Sequence, residues 1–298
     1  MGNVAQLAVL PASGSASPFL NRFGGWKTII LLMLIGWLYV PILVPLVRQW
    51  WIDPNFSHGF FVPLFSGFVV WQKRLQFASI PRVPSSWGLA VILVAVFTLV
   101  LGVFGAELFF SRVSLLMLIG GLVIFFLGWQ MLRAILFPLL FLILMIPIPA
   151  IILNQITLPL QILASKLAAW SLPLFGVPVL REGNIINLPA MPLEVADACS
   201  GIRSLLSLTT LAVMYGFLLE TRVWLRITIA LASIPIAVAA NGFRIFGTGL
   251  LVQYWDPEKA EGFFHEFSGW LIFVVSLLLL FALHWCVKSL LDRREAAR

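Results

Sequence analysis

Charged residues are scarce in this chain, and their scarcity excludes a soluble fold. Asp, Glu, Lys and Arg make up only 10% of its 298 residues, whereas 61% are hydrophobic. So little charge cannot solvate a globular surface, and the composition predicts a protein that crosses a membrane several times. The net charge of +7 comes from short basic clusters rather than from a basic stripe with interleaved aromatic residues. We therefore expect membrane lipid, and no nucleic acid, as the partner of these cations.

Cysteine and histidine are scarce as well, which argues against a metal centre. The chain has two cysteines and three histidines, with no Cys-x-x-Cys or His-x-x-x-His pair. Metal sites need three or four such ligands close together, so we expect no metal and no other cofactor. A disulfide is excluded too. Cys199 and Cys286 are predicted near opposite membrane faces, about 30 Å apart, and a disulfide needs Cα atoms within roughly 7 Å.

Positive charge is absent from residues 1–20, where a secretory signal peptide would carry a basic n-region. The stretch is rich in Ala, Ser, Gly and Pro, which predicts a flexible cytoplasmic tail over 1–25. We expect a single integral membrane domain over 26–290 and a basic cytoplasmic tail over 291–298.

Long apolar stretches predict an all-α bundle of about eight membrane spans. A helix needs about 20 apolar residues to cross roughly 30 Å of hydrocarbon. The stretches that meet or approach this length are 27–47, 58–72, 87–105, 113–129, 132–147, 200–219, 225–246 and 266–287. With the N-terminus inside, lysines and arginines concentrate in the cytoplasmic loops and tails, and the C-terminus returns to the cytoplasm.

Residues 150–172 interrupt this pattern with polar residues and prolines, among them Asn154, Pro159 and Lys166. If the segment crossed the membrane, every later helix would be inverted. An interfacial or re-entrant helix on the outer face keeps the positive charges inside, and we adopt that interpretation. Next, Val177 to Glu194 alternates branched apolar residues with turn signals, which predicts a small hairpin at the outer surface.

Three polar residues of complementary chemistry fall at the outer ends of the last three predicted spans. Cys199 begins the sixth span, Arg244 lies in the last outer turn of the seventh, and His265 opens the eighth. A thiol, a guanidinium and an imidazole are the parts of a cysteine acyl-transfer site. The thiolate attacks a carbonyl, the permanent cation stabilises the thiolate or the oxyanion, and the imidazole moves protons. Their common depth and side predict that the three side chains meet.

Neighbouring residues could support these three. Asp197 is a candidate helix cap, which would place Cys199 at the positive end of a helix dipole. Arg203, four residues after Cys199 and on the same helical face, could support the thiolate or bind substrate. Asn241 precedes Arg244 by about one turn and could orient it.

The other two histidines carry less information. His58 also faces outside, as a possible supporting or substrate-binding residue, but a turn at the membrane surface is the simpler explanation of its position. His284 is expected inside the last span, toward the cytoplasm, and without a role.

The sequence segments that contain Cys199, Arg244 and His265, in this order along the chain, resemble those of the exosortase/archaeosortase family. The matching segments are VADACSGIRS at 195–204, ANGFRI at 240–245, and HE at 265–266 ahead of Gly269-Trp270. The segment FSHG at 56–59, followed by Pro63 and Trp71, also resembles that family's first outer loop and second span. The resemblance implies that Cys199, Arg244 and His265 are the catalytic residues.

The resemblance also implies an activity, that of a membrane cysteine protease or transpeptidase. Its substrates would be exported proteins with a C-terminal sorting tail, made of a short motif such as Pro-Glu-Pro, a transmembrane helix and a basic cluster. Cleavage would pass through a Cys199 thioester, and the acyl group would go to an amine or to water. The implied location is a bacterial inner membrane, with the active site facing the periplasm.

Two other functions stay open at this point. A transporter or an exopolysaccharide-export component could use Arg244 and His265 to line a path. A lipid acyltransferase would need a histidine–acid motif on a cytoplasmic loop, and the sequence displays none. Substitution of Cys199 by Ala separates enzyme from conduit, because only the enzyme depends on the thiol.

Overall fold

The computed structural model describes residues 25–195, 201–255 and 263–296, with side chains for 26–195, 201–255 and 267–293. Asp197, Cys199, nearly all of the predicted tail 1–25 and the side chain of His265 lie outside this description. The described chain is almost entirely helical, which confirms the predicted all-α membrane bundle.

The α-helices follow one another with short connections. In chain order they are α1 (Gly25–Ile52), α2 (Phe61–Gln72), α3 (Arg74–Ala78), α4 (Trp87–Phe104), α5 (Leu108–Leu127), α6 (Trp129–Phe141), α7 (Ala150–Ser171), α8 (Gly201–Leu219), α9 (Val223–Tyr254) and α10 (Phe263–Ala296). Short 3₁₀ segments occupy Pro54–Phe60, Leu142–Met145 and Leu172–Phe175. The predicted C-terminal tail is therefore helical as far as Ala296.

Seven helices of the described chain are long and apolar enough to cross a membrane. They are Trp26–Ile52, Trp87–Phe104, Leu108–Leu127, Ala150–Phe175, Gly201–Leu219, Val223–Tyr254 and Phe267–Arg293. Six of them coincide with predicted spans, and the seventh contains the segment that we expected to stay on the outer face.

Two of the eight predicted spans are not among these seven helices. At 58–72, Asp53 caps a 3₁₀ segment instead of an α-helix, and α2, which follows it, has only 12 residues. At 132–147, α6 and its 3₁₀ extension end at Met145. The helix stops there because Pro147 lacks an amide proton and forces an extended conformation on the residue before it.

Basic side chains gather at one end of the bundle, which we call the basic end. Four of the described cations there lie at or beside helix termini, and a fifth, within α10, contacts Glu220 just after α8: Lys73, Arg74, Arg222, Arg226 and Lys288. By the positive-inside rule, we expect this end to face the cytoplasm. At the opposite end, the indole Nε1 of Trp50 donates a hydrogen bond of 2.9 Å to the carbonyl of Met145.

Helix α7 packs against α9. Near its start, Leu153 packs in the same apolar cluster as Trp50 and Met145. Just beyond its last residue, the carbonyl of Phe175 accepts a 2.7 Å hydrogen bond from Oη of Tyr254, the residue that ends α9. The helix is long enough to cross a membrane. The outer-surface position of residues 150–172 stays a prediction.

A three-stranded antiparallel sheet follows α7, formed by β1 (Leu180–Glu182), β2 (Ile185–Asn187) and β3 (Pro192–Glu194). Gly183, with φ of +63°, makes the turn between β1 and β2. Its carbonyl accepts a 3.0 Å hydrogen bond from Ser165 Oγ, which fastens the sheet to α7. Ile186 is fully buried between the two. The predicted hairpin is confirmed, with a third strand added.

The last three helices share a core. Leu208 of α8, Ile229 of α9 and Leu280 of α10 belong to one buried cluster. The hydroxyl groups of Thr209 and Ser233 lie 2.9 Å apart and join α8 to α9 within it. This packing holds α8, α9 and α10 against one another.

Candidate active site

Arg244 lies where α9 contacts α10, toward the end of the bundle opposite the basic end. A methyl group placed on Gly269 of α10 would stand 3.3 Å from Nη2 and 3.4 Å from Cζ of Arg244. The guanidinium therefore rests directly on the backbone of α10. Position 265 is four residues ahead of Gly269 in the same helix, which is about one turn along the same face.

Asn241 connects α9 to α8. It lies three residues before Arg244 on α9, and its side chain is 9% exposed. A methyl group on Gly201, the first residue of α8, would stand only 2.7 Å from Nδ2 of Asn241. A glycine is thus needed for α8 to begin this close to α9. Cys199 comes two residues earlier in the sequence and, like Asp197, lies outside the described residues.

The start of α8, the part of α9 around Asn241 and Arg244, and Gly269 of α10 therefore converge. Helix α9 continues ten residues beyond Arg244 to Tyr254, so the prediction that Arg244 lies in the last outer turn of this helix was wrong. Arg244 contacts α10, and Asn241 contacts α8. The predicted contact of Arg244 with Cys199 and His265 stays a prediction, because neither of those side chains is described.

His58 is more deeply enclosed than a surface turn would be. It is 9% exposed within the 3₁₀ segment Pro54–Phe60, which packs against α8. Its Nε2 lies 3.2 Å from the carbonyl of Leu144, and since a carbonyl only accepts, Nε2 must carry the proton. Nδ1 has no hydrogen-bond partner in the described part of the chain. Burial lowers the pKa of His58 below its ordinary value, against the opposing effect of the Leu144 carbonyl.

Arg203 is the one described candidate that is exposed. It lies in the first turn of α8 and makes no hydrogen bond or ion pair to another described residue. Its guanidinium is therefore available to a ligand at this end of the bundle.

A cavity of about 540 Å³ opens between α9 and α10 beside Arg244. Apolar side chains form most of its wall, including Phe243, Leu251 and Leu271, and Arg244 adds a positive charge. A concave, mostly apolar pocket with a few polar groups is the usual form of a ligand site. This one suits an apolar polypeptide segment whose carbonyl oxygen faces the guanidinium.

A buried polar cluster at the basic end was not predicted from the sequence. Glu220, just after α8, is 6% exposed. Its Oε1 accepts hydrogen bonds from His284 Nε2 at 2.7 Å and from Lys288 Nζ at 3.1 Å. The other ring nitrogen of His284, Nδ1, lies 2.6 Å from Oη of Tyr215. Burial raises the pKa of Glu220, but the hydrogen bonds from His284 and Lys288 outweigh it and leave the pKa below its ordinary value.

This cluster fastens α10 to the connection between α8 and α9, at the opposite end from Arg244. His284, which we expected to have no role, is thus a buried hydrogen-bonding residue. The signal in the sequence was weak. His284 and Lys288 are four residues apart and so share one face of a helix, but nothing near them in the chain indicates an acidic partner.

Metal ligands do not cluster in the part of the chain that the structure describes. No group of three or more His, Cys, Asp and Glu residues is close enough there to hold a metal ion.

A family model described as transmembrane exosortase (Exosortase_EpsH) matches residues 50–282, about three quarters of the chain. The chain belongs to the exosortase family. Exosortases form a family of membrane transpeptidases and proteases that act on exported proteins with sorting motifs. The matched range includes Asn241, Arg244 and positions 199 and 265, so the resemblance inferred from the sequence is confirmed. Neither a curated protein nor a solved structure matches the chain.

Proposed function

We propose that this exosortase removes a C-terminal sorting tail from exported proteins through a thioester on Cys199. Its substrates carry a short motif of the Pro-Glu-Pro type, one transmembrane helix and a basic cluster. The chain lies in a bacterial inner membrane, and the end that carries Arg244 faces the periplasm. The observation that carries the proposal is the position of Arg244, at the junction of the three helices that bear or adjoin the predicted catalytic residues.

The covalent geometry of the chain supports a meeting of these residues. Asn241 contacts Gly201, and two peptide units, which span at most about 7 Å, separate Gly201 from Cys199. The Arg244 guanidinium contacts α10 one turn from position 265. Cys199 and position 265 are therefore each separated by only a few residues from a contact made by Asn241 or Arg244. Because Arg244 connects two helices, its side chain is held in one orientation.

The residues have separate roles in the reaction. The Cys199 thiolate attacks the carbonyl carbon of the scissile peptide bond, and Arg244 stabilises the oxyanion that forms. His265 gives a proton to the leaving nitrogen as the C–N bond breaks, so the tail departs as an amine and a thioester remains. An incoming amine or water then loses a proton to His265, attacks the thioester carbonyl and displaces the Cys199 thiolate.

The apolar cavity beside Arg244 supports this substrate class. A transmembrane tail presents its flanking segment at the membrane surface, and the start of α8, which contacts Asn241 one turn before Arg244, is such a span end. The apolar wall would hold that segment, while the guanidinium faces the reacting carbonyl oxygen. Binding of this segment in the cavity would orient the peptide bond before the chemistry begins.

The test is mass analysis of the C-terminus of a co-expressed tailed protein. Wild-type enzyme should yield a new C-terminus at the sorting motif, and Cys199→Ala should leave the tail intact. Cys286→Ala is the matched control, because Cys286 is exposed on α10. It should behave as wild type. An intact tail with all three enzymes, or removal by all three, would contradict the proposal.

A further inference from the structure

A second cavity, of about 320 Å³, lies at the basic end of the bundle. It combines two cations with two carboxamides and an aromatic ring: Gln72, Lys73, Gln76, Phe217, Leu218 and Arg226. This composition differs from that of the apolar cavity beside Arg244, because most of its polar groups can donate hydrogen bonds. A donor-rich cavity with two positive charges is suited to an anion.

One aromatic ring holds both cations in place. Lys73 Nζ and Arg226 Cζ each lie 4.9 Å from the centre of the Phe217 ring. Phe217 in turn stacks on Phe137, with ring centres 3.7 Å apart and planes within 3° of parallel. Because this stacking fixes the ring, both cations are held at the same cavity.

Neither cation is neutralised by an acidic side chain in the described part of the protein. The carboxylate of Glu220, a neighbour in sequence of Arg226, is turned toward His284 and Lys288. Only the backbone carbonyl of Glu220 contacts Arg226, accepting a 2.7 Å hydrogen bond from Nε. That bond fixes the orientation of the guanidinium and leaves its terminal nitrogens to the cavity.

Two like charges held side by side repel each other, and an anion between them removes the repulsion. A phosphate group offers several acceptor oxygens to the fork of an arginine, the ammonium of a lysine and the amides of two glutamines. The cavity also lies at the ends of helices. Gln72 ends α2, Leu218 is the next-to-last residue of α8, and Arg226 is in the first turn of α9. Span ends place it at the depth of lipid headgroups.

We infer that the cavity lined by Lys73, Arg226, Gln72 and Gln76 binds a phosphate ester at the cytoplasmic surface of the membrane. The source is either the headgroup of an anionic phospholipid or a free phosphate ester, since both present the same oxygens. Leu218, which is 50% exposed at the rim, provides an apolar surface for the glycerol or acyl part of a lipid. This site is at the opposite end of the bundle from Arg244, so it does not depend on the proposed protease activity.

The test is binding of phosphatidylglycerol to the purified full chain in non-ionic detergent, followed by native mass spectrometry. Lys73→Gln/Arg226→Gln should weaken the binding roughly tenfold or more, because two charge-assisted contacts are lost. The matched control, Arg74→Gln/Arg133→Gln, removes the same charge from the same end but outside the cavity, and should stay within about twofold of wild type. Equal binding by the two double variants would overturn the site.

A second variant keeps the test decisive if the charge variant fails to fold. Gln72→Ala/Gln76→Ala changes two exposed residues and no charge, and should weaken binding by roughly threefold or more. Unchanged binding by this variant, in a protein that melts as wild type does, would overturn the proposal.

Inorganic phosphate added as competitor separates the two sources. Displacement of the lipid at millimolar phosphate supports a free phosphate ester, whereas retention of the lipid supports a headgroup. Binding of phosphatidylcholine as tight as that of phosphatidylglycerol, and insensitive to the charge variant, would show that no anion site exists.

Discussion

The contact between Arg244 and Gly269 makes a substitution at Gly269 a sensitive probe of the proposed site. In Gly269→Ala, the new methyl group would stand 3.3 Å from Nη2 of Arg244, tighter than an ordinary van der Waals contact. The guanidinium is the end of a long flexible side chain and can yield by a few tenths of an ångström. Gly269→Leu would displace it further, by on the order of 1 Å.

The effects on stability and on activity should diverge. Replacing a glycine by alanine within a helix contributes about 0.5–1 kcal/mol of stability. Overpacking costs roughly 1–3 kcal/mol where neighbours are rigid, and less here because Arg244 can move. The net change in the free energy of unfolding should thus be within about 1 kcal/mol of zero. A misplacement of 1 Å in a catalytic group can cost about 100-fold in rate. We therefore expect roughly threefold to tenfold slower tail removal in Gly269→Ala and about 100-fold slower removal in Gly269→Leu.

The assay compares the rate of tail removal in cells with thermal unfolding of the purified variants in detergent. Gly36→Ala is the control, because a methyl group on Gly36 of α1 meets no atom within 4 Å. It should leave the rate unchanged. Wild-type rates in both Gly269 variants would refute the reasoning, since the position of Arg244 against α10 would then be irrelevant to the reaction.

Three further predictions concern the site, the basic end and the orientation. Arg244→Lys should impair tail removal severely although the charge is kept, because an ammonium lacks the planar fork that directs two donors at an oxyanion; near-normal turnover would reduce Arg244 to a structural residue. Glu220 has a lowered pKa in the folded state, so its contribution to stability is full above the pKa of about 4.3 of an unfolded glutamate and is lost as the pH falls through the folded value. The melting temperature of wild type should fall more steeply than that of Glu220→Gln as the pH is lowered from 6 toward 3.5, and parallel curves would contradict this linkage. A membrane-impermeant thiol reagent added outside intact spheroplasts should label Cys199 and spare Cys286, with less labelling at lower pH because the thiolate reacts; labelling of Cys286 from outside would invert the topology.

The sequence predicted those parts of the fold that local composition determines. Apolar runs of sufficient length predicted six of the seven candidate spans. Backbone N–H and C=O groups without hydrogen bonds are costly in lipid, so such a run forms a helix. The hairpin of β1 and β2, but not the third strand, was predictable from Arg181-Glu182-Gly183-Asn184, since Gly183 supplies the positive φ that the turn needs. The second span was misjudged because a 3₁₀ segment has the same apolar character as the start of a helix.

Contacts between segments that are distant in the chain could not be predicted from the sequence. Glu220 meets His284 and Lys288 across 64 and 68 residues, and no local pattern indicates which acid a helical histidine will contact. The contacts of Gly201 with Asn241 and of Gly269 with Arg244 depend likewise on how α8, α9 and α10 pack. Sequence reasoning could place Arg244 and Asn241 at one depth in the membrane, but not against particular glycines of neighbouring helices.

The measurement that bears most directly on the central claim is detection of the acyl-enzyme. Purified full-length enzyme is mixed with a tailed substrate, quenched in acid and analysed by intact mass. The account predicts an adduct equal to the substrate without its tail, attached at Cys199 and released by hydroxylamine as a thioester should be. The adduct should persist in Cys286→Ala and vanish in Cys199→Ala. Tail removal by the Cys199→Ala enzyme, or an adduct on any other residue, would contradict the account.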